Sequence, residues 1–495
     1  MQGKKKFEGK IYYQINLDSL VPEDHLLKRL DSLVSFEFVR NMTKKYYSHT
    51  GKPSIDPVVL VKMLLVGYLF NIRSERKLVE DISLNLAYRW YIGYDLDEEV
   101  PNHSIFSKAR ARFGKELFKE IFSEILKLAA GKGLVKTKEM LIDSTIVKAN
   151  ASLASLVEVD LSPEQYWREL DQNEKKSSTR GSKPKNGLSQ QVGKHFTGKP
   201  DKARIGKRRR NRNASYLKKR SLTDPDATLF YRLGMGNFLS YKAHVGSSLE
   251  GFITAIYASP SSIHDTGGVP PLVEAHEKIL GTPTAVAADT KYGSEECLKY
   301  LQDKGIKTSI KPEEKNNRPG YIPKAEFRYD SQKDCYICPQ GKILKRKTKS
   351  YSQNRIFYRA SKKDCMNCPQ KSKCISGKAN ARIVSHYDSN CFSSAKNFYY
   401  SKYGRYLQKL RSTTIEGIMG QAKEYHGMRR AKLRGLDKVE IQLFLTATAI
   451  NLKKILKLGG SNPPFNSPGN NFYNFLGFMI SNIKKLEFDF ITLGA

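Results

Sequence analysis

The chain of 495 residues lacks any run of about 18 apolar residues, the length a membrane-spanning helix requires. The most apolar stretch near its end, Phe472 to Ile480, is too short for that role. The opening Met1-Gln-Gly-Lys-Lys-Lys has no apolar core of the kind that marks a signal peptide, so the expected location is the cytoplasm, with no membrane partner. No internal repeat is evident, which excludes solenoids and propellers. Cysteine is scarce outside one segment: five of the seven crowd between Cys335 and Cys374, unlike a secreted disulfide framework. Acidic residues are also short, with 49 Asp and Glu against 85 Lys and Arg, a net charge of +36. An excess that large concentrates polyanions around the protein, and nucleic acid is the polyanion it fits.

What is present is enough for packed domains. Hydrophobic residues make up 39% of the chain, too many for a disordered protein. Residues 1–135 read as an all-helical domain. Asp56-Pro57 opens one helix, Ser74-Glu75 a second, and Ser104 is expected to cap a third. These short helices carry Arg73, Arg76, Lys77, Lys108, Arg110 and Arg112, which suits either a helix-turn-helix DNA reader or simple helical packing. The period then changes. Residues 136–312 read as strands in a meander and then strands alternating with helices, a mixed α/β or α+β region. Residues 155–222 interrupt it. From Lys175 to Arg220 there are 17 Lys or Arg and one acid, Asp201. That is a flexible basic arm, whose run Lys207-Arg208-Arg209-Arg210 would hold phosphate without reading bases. A Cys-rich segment, 313–395, a helical segment, 396–457, and an Asn-, Pro- and Gly-rich tail, 458–495, complete the chain.

Two apolar strands are expected to end in a carboxylate: Leu141-Ile142 in Asp143, and Val286-Ala287-Ala288 in Asp289. An Asp after a strand is commonly a turn former or helix cap. Two of them in so basic a chain suggest more, because ligands gather at strand ends in α/β sheets. The third carboxylate is Glu416. On a helix, Glu416, Gly420 and Lys423 share one face, while Ile415, Ile418, Met419 and Ala422 can pack inward. Three carboxylates from distant segments suit phosphodiester cleavage by two hard divalent cations, Mg²⁺ or Mn²⁺. The pairs Cys335-x₂-Cys338 and Cys365-x₂-Cys368, with Cys374 after five more residues, offer thiolates to one structural Zn²⁺. Five candidates for four positions leave the ligand set open.

The blocks Asp143-Ser-Thr-Ile-Val-Lys-Ala, Ala-Asp289-Thr-Lys-Tyr-Gly and Glu416-Gly-Ile-Met-Gly-Gln-Ala-Lys resemble the three signature blocks of DDE transposases. Ser54-Ile-Asp-Pro-Val and Arg73-Ser-Glu-Arg resemble the helical domain that precedes the catalytic core in transposases of bacterial insertion sequences, the IS-eleven-eighty-two-like group in particular. The resemblance covers about residues 10–155 and 222–457. It implies a ribonuclease-H-like core with Asp143, Asp289 and Glu416 as ligands of two Mg²⁺ ions. By analogy it makes Arg411 and Lys423 phosphate contacts, although Ser412 stands where sister groups have an Arg. The similar cysteine motif points to Cys338, Cys365, Cys368 and Cys374 as zinc ligands, with Cys335 the alternative. His264-Asp265 also resembles a family element and reads as supporting structure. The implied activity is cleavage of element ends and joining of their 3′-hydroxyls to target DNA by a homodimer or larger assembly at the nucleoid. The implied partners are the terminal inverted repeats and target DNA, with the helical domain reading the repeat. A nuclease that cuts without joining, or an inactive DNA-binding remnant of an element, are the alternatives.

Overall fold

The computed structural model describes residues 16–48, 54–160, 217–312 (save 233 and 235), 320–350, 355–375, 379–387 and 391–459. Among these no helix is long and apolar enough to cross a membrane. The basic run Lys207-Arg208-Arg209-Arg210 and the tail from 460 lie outside the described residues.

The N-terminal helices form where the sequence places their caps. The Asp56 carboxylate accepts from the Val58 N–H at 2.8 Å, with Pro57 as first residue of the helix Pro57–Leu69. The Ser74 hydroxyl accepts from the Lys77 N–H to start Glu75–Leu84. The expected cap at Ser104 is not observed: Ser104 is already the first residue of the helix Ser104–Gly131, and its N–H donates to the Asn102 side chain at 3.0 Å. That helix is broken at Gly114, whose φ of 64° only glycine adopts cheaply. Pro57–Leu69 is apolar on nearly every side, with Lys62 paired to Asp31 as the charged exception, the mark of a helix covered almost all round.

Its cover includes the last described helix, Leu436–Gly459, which runs between the N-terminal helices and the main sheet and is buried along nearly its whole length. One hydrophobic core joins Leu27, Val61, Phe118, Val245, Leu407 and Leu456, so the helical region 1–135 shares its interior with the rest of the chain. The buried polar side chains of this spine are all bonded. Gln442 donates to the carbonyls of Gly427 and Arg430 and accepts from the Lys432 N–H. Thr446 donates to the His426 carbonyl. Asn451 both accepts from the Ile253 N–H and donates to the Ile253 carbonyl, each at 2.9 Å. Each removes the cost of a buried backbone group left without a partner, about 1–3 kcal/mol.

The main sheet comprises β1 (Glu139–Lys148), β4 (Thr228–Arg232), β5 (Gly236–Ser247), β6 (Ile253–Pro260), β7 (Ala285–Ala287) and β8 (Lys307–Ser309). β2 (Leu156–Asp160) and β3 (Leu217–Ser221) form a separate antiparallel ladder, so the expected basic loop 155–222 has a paired stem. In the main sheet the order is β6–β5–β1–β7–β8, with β4 also on the outer edge of β5. β1 is antiparallel to β5 and parallel to β7, which is parallel to β8. Helices Val269–Leu280, Glu295–Asp303 and Cys391–Tyr400 cover one face. Helices Lys402–Tyr425 and Leu436–Gly459 cover the other. Burial on both faces explains why Met140-Leu141-Ile142 and Ala285-Val286-Ala287 read as unbroken apolar runs.

Between β8 and Cys391, strands β9 (Arg328–Asp330), β10 (Cys335–Ile337), β11 (Ile343–Ser350), β12 (Arg355–Ala360) and β13 (Ile383–Tyr387) build a second, antiparallel sheet in the order β13–β12–β11–β10–β9. It has its own core around Leu344, Tyr358 and Val384.

Candidate active site

Asp143 does not close its strand as expected. β1 continues to Lys148, because Ser144 to Lys148 go on pairing with β5. What ends near Asp143 is the pairing on its other side, where β1 and β7 are matched only as far as Leu141↔Ala287. Two residues further along this register, Asp143 stands level with Asp289, which follows β7 by one residue beyond Ala288. Adjacent strands run about 4.8 Å apart, so the parallel register sets the two carboxylates side by side at the mouth between separating strands. Alternation puts both on the face of Leu141, Ala285 and Ala287, the face covered by Lys402–Tyr425.

That helix reaches the carboxylates. The Arg411 guanidinium pairs with the Asp143 carboxylate at 3.0 Å. One turn earlier, Gln408 donates to the carbonyls of Ala288 (3.1 Å) and Ser309, clamping the helix to the strand ends beside Asp289. Burial pushes the Asp143 carboxyl above its ordinary range, with Asp289 and Asp265 adding to the push. The Ser144 N–H and Arg411 oppose it. Asp289 caps the turn that follows it by accepting from the Thr290 N–H at 2.7 Å.

Beneath Asp143 lies a network the sequence shows only in part. Ser144 donates to the Asp265 carboxylate at 2.8 Å, and Lys242 pairs with the same carboxylate at 2.7 Å. Burial pushes the Asp265 carboxyl up, but the hydrogen bonds and charge of Lys242, with the Ser144 hydroxyl, outweigh it and hold the group below its usual range. The signal for Lys242 is the one Lys or Arg within strand β5, which carries no Asp or Glu. Its Nζ also donates to the Ile263 carbonyl at 2.6 Å. His264-Asp265 thus supports the site, with Asp265 as the working half.

Glu416 lies on the same helix five residues after Arg411, about 7.5 Å along the axis, and is exposed. The structure therefore brings Asp143, Asp289 and Arg411 together and leaves Glu416 on the outer stripe. Among the described residues no three His, Cys, Asp or Glu side chains are positioned to share one metal ion. Lys423 sits two turns beyond Glu416 on that stripe, half-buried.

In the second sheet the Cys338 thiol accepts from the Lys342 N–H at 3.3 Å, across a turn closed by Gly341 N–H to Cys338 carbonyl at 2.8 Å. Cys365 is buried in this sheet's core, with Cys338 and Cys374 packed against it; burial raises the Cys374 thiol, Arg382 opposes this, and Cys365, Cys368 and Cys338 add to it. Cys335 lies on the opposite face of β10 from Tyr336, the residue that joins this core. Cys297 and Cys391 are buried in the main core, as expected of packing residues.

Of the expected base readers, Arg110 is spent inside the fold. It makes a two-point pair with Glu75, at 2.6 and 3.1 Å, and its side chain is 8% exposed. Lys77 pairs with Asp81 and Glu80 on its own helix, and Arg112 lies over the Tyr47 ring. Arg73, Arg76 and Lys108 are exposed.

Comparison with known proteins defines the class. The family described as "Transposase DDE domain" matches residues 337–456, and "Transposase domain (DUF772)" matches residues 15–112. Over those two segments the chain is similar to transposase domains, the second of them of the DDE class. Over 110 residues it is 28% identical to the transposase for insertion sequence element IS1106 of Neisseria meningitidis serogroup B, a stretch that is 22% of this chain and 32% of that protein. The chain thus spans about a third of the length of the curated relative it matches. A piggyBac transposase synaptic complex with hairpin DNA aligns at 10% identity over 92% of this chain and 85% of that one, with a TM-score of 0.28, too low to carry an argument. Asp143 and Asp289 fall outside both family matches; Glu416 and the cysteines from Cys338 to Cys374 fall inside the second.

Proposed function

We propose that this chain is a DNA transposase that cuts the ends of its insertion sequence and joins them to target DNA with divalent cations held by Asp143, Asp289 and Glu416. The observation that carries the reading is the register: two aspartates level with each other on neighbouring parallel strands, facing a helix that bears both Arg411 and Glu416. The strand order β6–β5–β1–β7–β8, with three antiparallel strands followed by two parallel ones, supports a ribonuclease-H-like core into which the Cys-rich sheet is inserted.

The donor set fits Mg²⁺ or Mn²⁺, because both prefer carboxylate oxygen. Bound there, the ions supply an activated water or 3′-hydroxyl and a stabilised leaving oxygen. The residues of the chain do the rest. Arg411 supplies the positive charge opposite Asp143 and, once released from it, is placed to hold a phosphate oxygen beside the scissile bond, with Lys423 further along the strand. Ser144, Asp265 and Lys242 fix β1 beneath Asp143 so that its carboxylate keeps one orientation. The basic run Lys207-Arg208-Arg209-Arg210 adds affinity for any duplex.

The test uses the full chain, Mg²⁺, a duplex carrying the inverted repeats that flank the gene, and a target plasmid. The expected products are 3′-hydroxyl ends at the repeat tips, then joined molecules. Cut ends that are never joined would favour a nuclease; no cutting with all three carboxylates intact would overturn the reading.

The second sheet is assigned a structural Zn²⁺ on Cys338, Cys365, Cys368 and Cys374. Four thiolates leave no open position for chemistry, and the Lys342 N–H directed at Cys338 is the kind of hydrogen bond that steadies a ligating thiolate. Metal analysis of the purified protein is expected to give about one zinc per chain, retained in Cys335→Ser and lost in Cys374→Ser. Equal zinc in both variants, or none in the wild type, would refute the assignment.

A further inference from the structure

The outer side of the junction between helices Cys391–Tyr400 and Lys402–Tyr425 carries an unusual surface. Tyr400, Tyr403 and Tyr406 are 49%, 43% and 52% exposed, although aromatic rings normally go inside. They lie among exposed Lys402, Arg405 and Lys409, and no acid occurs from Lys402 to Ile415. At 3.6 residues per turn, Lys402, Arg405, Tyr406, Lys409 and Glu416 fall on one stripe, which therefore leads to the third carboxylate.

The surface is also stiff. The Tyr403 and Tyr406 rings stack with centroids 6.2 Å apart and planes at 24°. The Tyr403 hydroxyl donates to Glu139 at 2.6 Å, which fixes that ring at the start of β1. Arg405 Nε donates to the Tyr400 carbonyl at 3.1 Å. Gly404 lets the two helices meet this closely, since a Cβ there would lie 1.9 Å from the Phe398 carbonyl oxygen. The Gly404 carbonyl is held by the Ser309 hydroxyl at 2.7 Å, and Gln408 anchors the next turn beside Asp289.

We propose that Tyr400 and Tyr406 form a stacking platform for unpaired bases of a DNA strand entering the carboxylate site, with Lys402, Arg405 and Lys409 holding its backbone. This rests on the DNA reading above. Exposed rings interleaved with three cations, with Glu139 occupied by the Tyr403 hydroxyl and Glu416 at the far end of the stripe, suit a polyanion that also offers flat faces. A paired duplex turns only phosphates outward, whereas an unpaired strand offers both. A protein partner would need a patch with few charges at its centre, which a surface carrying Lys402, Arg405 and Lys409 does not supply.

The experiment measures binding of the full chain to a labelled blunt duplex and to the same duplex with a single-stranded tail containing 2-aminopurine. Wild type is expected to prefer the tailed DNA and to quench its fluorescence. Tyr406→Ala and Tyr400→Ala each weaken tailed binding about five- to a hundredfold, the loss of one stacked base, and leave blunt binding unchanged. Tyr406→Phe, which keeps the ring, behaves as wild type, and Lys409→Ala weakens both DNAs alike. If the alanine variants bind and quench as wild type does, the platform is refuted and the DNA reading stands. If wild type binds neither DNA, the DNA reading fails and the platform with it.

Discussion

Asp143→Ala and Asp289→Ala are each expected to lower the rate of end cleavage by at least about a thousandfold while leaving binding of the uncut end nearly unchanged. The size follows from the chemistry. Metal-assisted displacement supplies several kcal/mol of transition-state stabilisation, and each 1.36 kcal/mol is a factor of ten. Binding rests instead on contacts from a chain of net charge +36 to phosphates, to which one carboxylate contributes nothing. Neither change should unfold the protein: the sheet around Asp143 is held by β5, and Asp289 lies outside its strand. Glu416→Ala is expected to match them, whereas Glu424→Ala, which removes an ion pair with Arg429 at the last turn of the helix Lys402–Tyr425, serves as the control. Single-turnover nicking of an end-labelled duplex measures all four. Wild-type cleavage by either aspartate variant would remove that residue from the site.

Removal of residues 436–495 is expected to abolish folding of the whole chain, not merely of its C-terminal part. The helix Leu436–Gly459 buries aliphatic and aromatic side chains against the N-terminal helices on one side and β6 on the other. At about 1.5–3 kcal/mol for each large side chain, the loss exceeds the roughly 5–15 kcal/mol that separates folded from unfolded chains. It would also leave the Ile253 backbone groups without Asn451. The truncated protein should show no cooperative thermal transition by circular dichroism; a sigmoidal melt within a few degrees of the full chain would contradict the shared core. The same core bears on recognition of the terminal repeat. A fragment of residues 1–135 lacks its packing partner, so base reading by Arg73, Arg76 and Lys108 is best tested as substitutions in the full chain.

How far the sequence could be read varied with whether the deciding contacts were local. The caps at Asp56 and Ser74 depend on neighbours in the chain, and both were legible. So was the apolar run before Asp289. The continuation of β1 past Asp143 was not, because Ser144 and Thr145 resemble a turn until β5, a hundred residues away, pairs with them. Arg110 resembled a base reader for the same reason: only the fold places Glu75 against it. The segment 396–457 reads as one helical stretch, whereas the chain folds back at His426–Gly435 and the spine starts afresh at Leu436. The cysteine spacing named a cluster but not its members. The pleat of β10 turns Cys335 away from the core of Tyr336, a placement that spacing alone does not show.

The most direct test of the carboxylate site needs no DNA. Electron paramagnetic resonance of the full chain titrated with Mn²⁺ counts bound ions, and oxygen-preferring Mn²⁺ discriminates against the thiolate sheet. The wild type is expected to bind about two Mn²⁺ per chain, with Asp143→Asn and Asp289→Asn each losing binding and Glu424→Gln retaining it. Mn²⁺ bound equally by the wild type and both aspartate variants, or not bound by the wild type, would contradict the placement of the metals on these two strands.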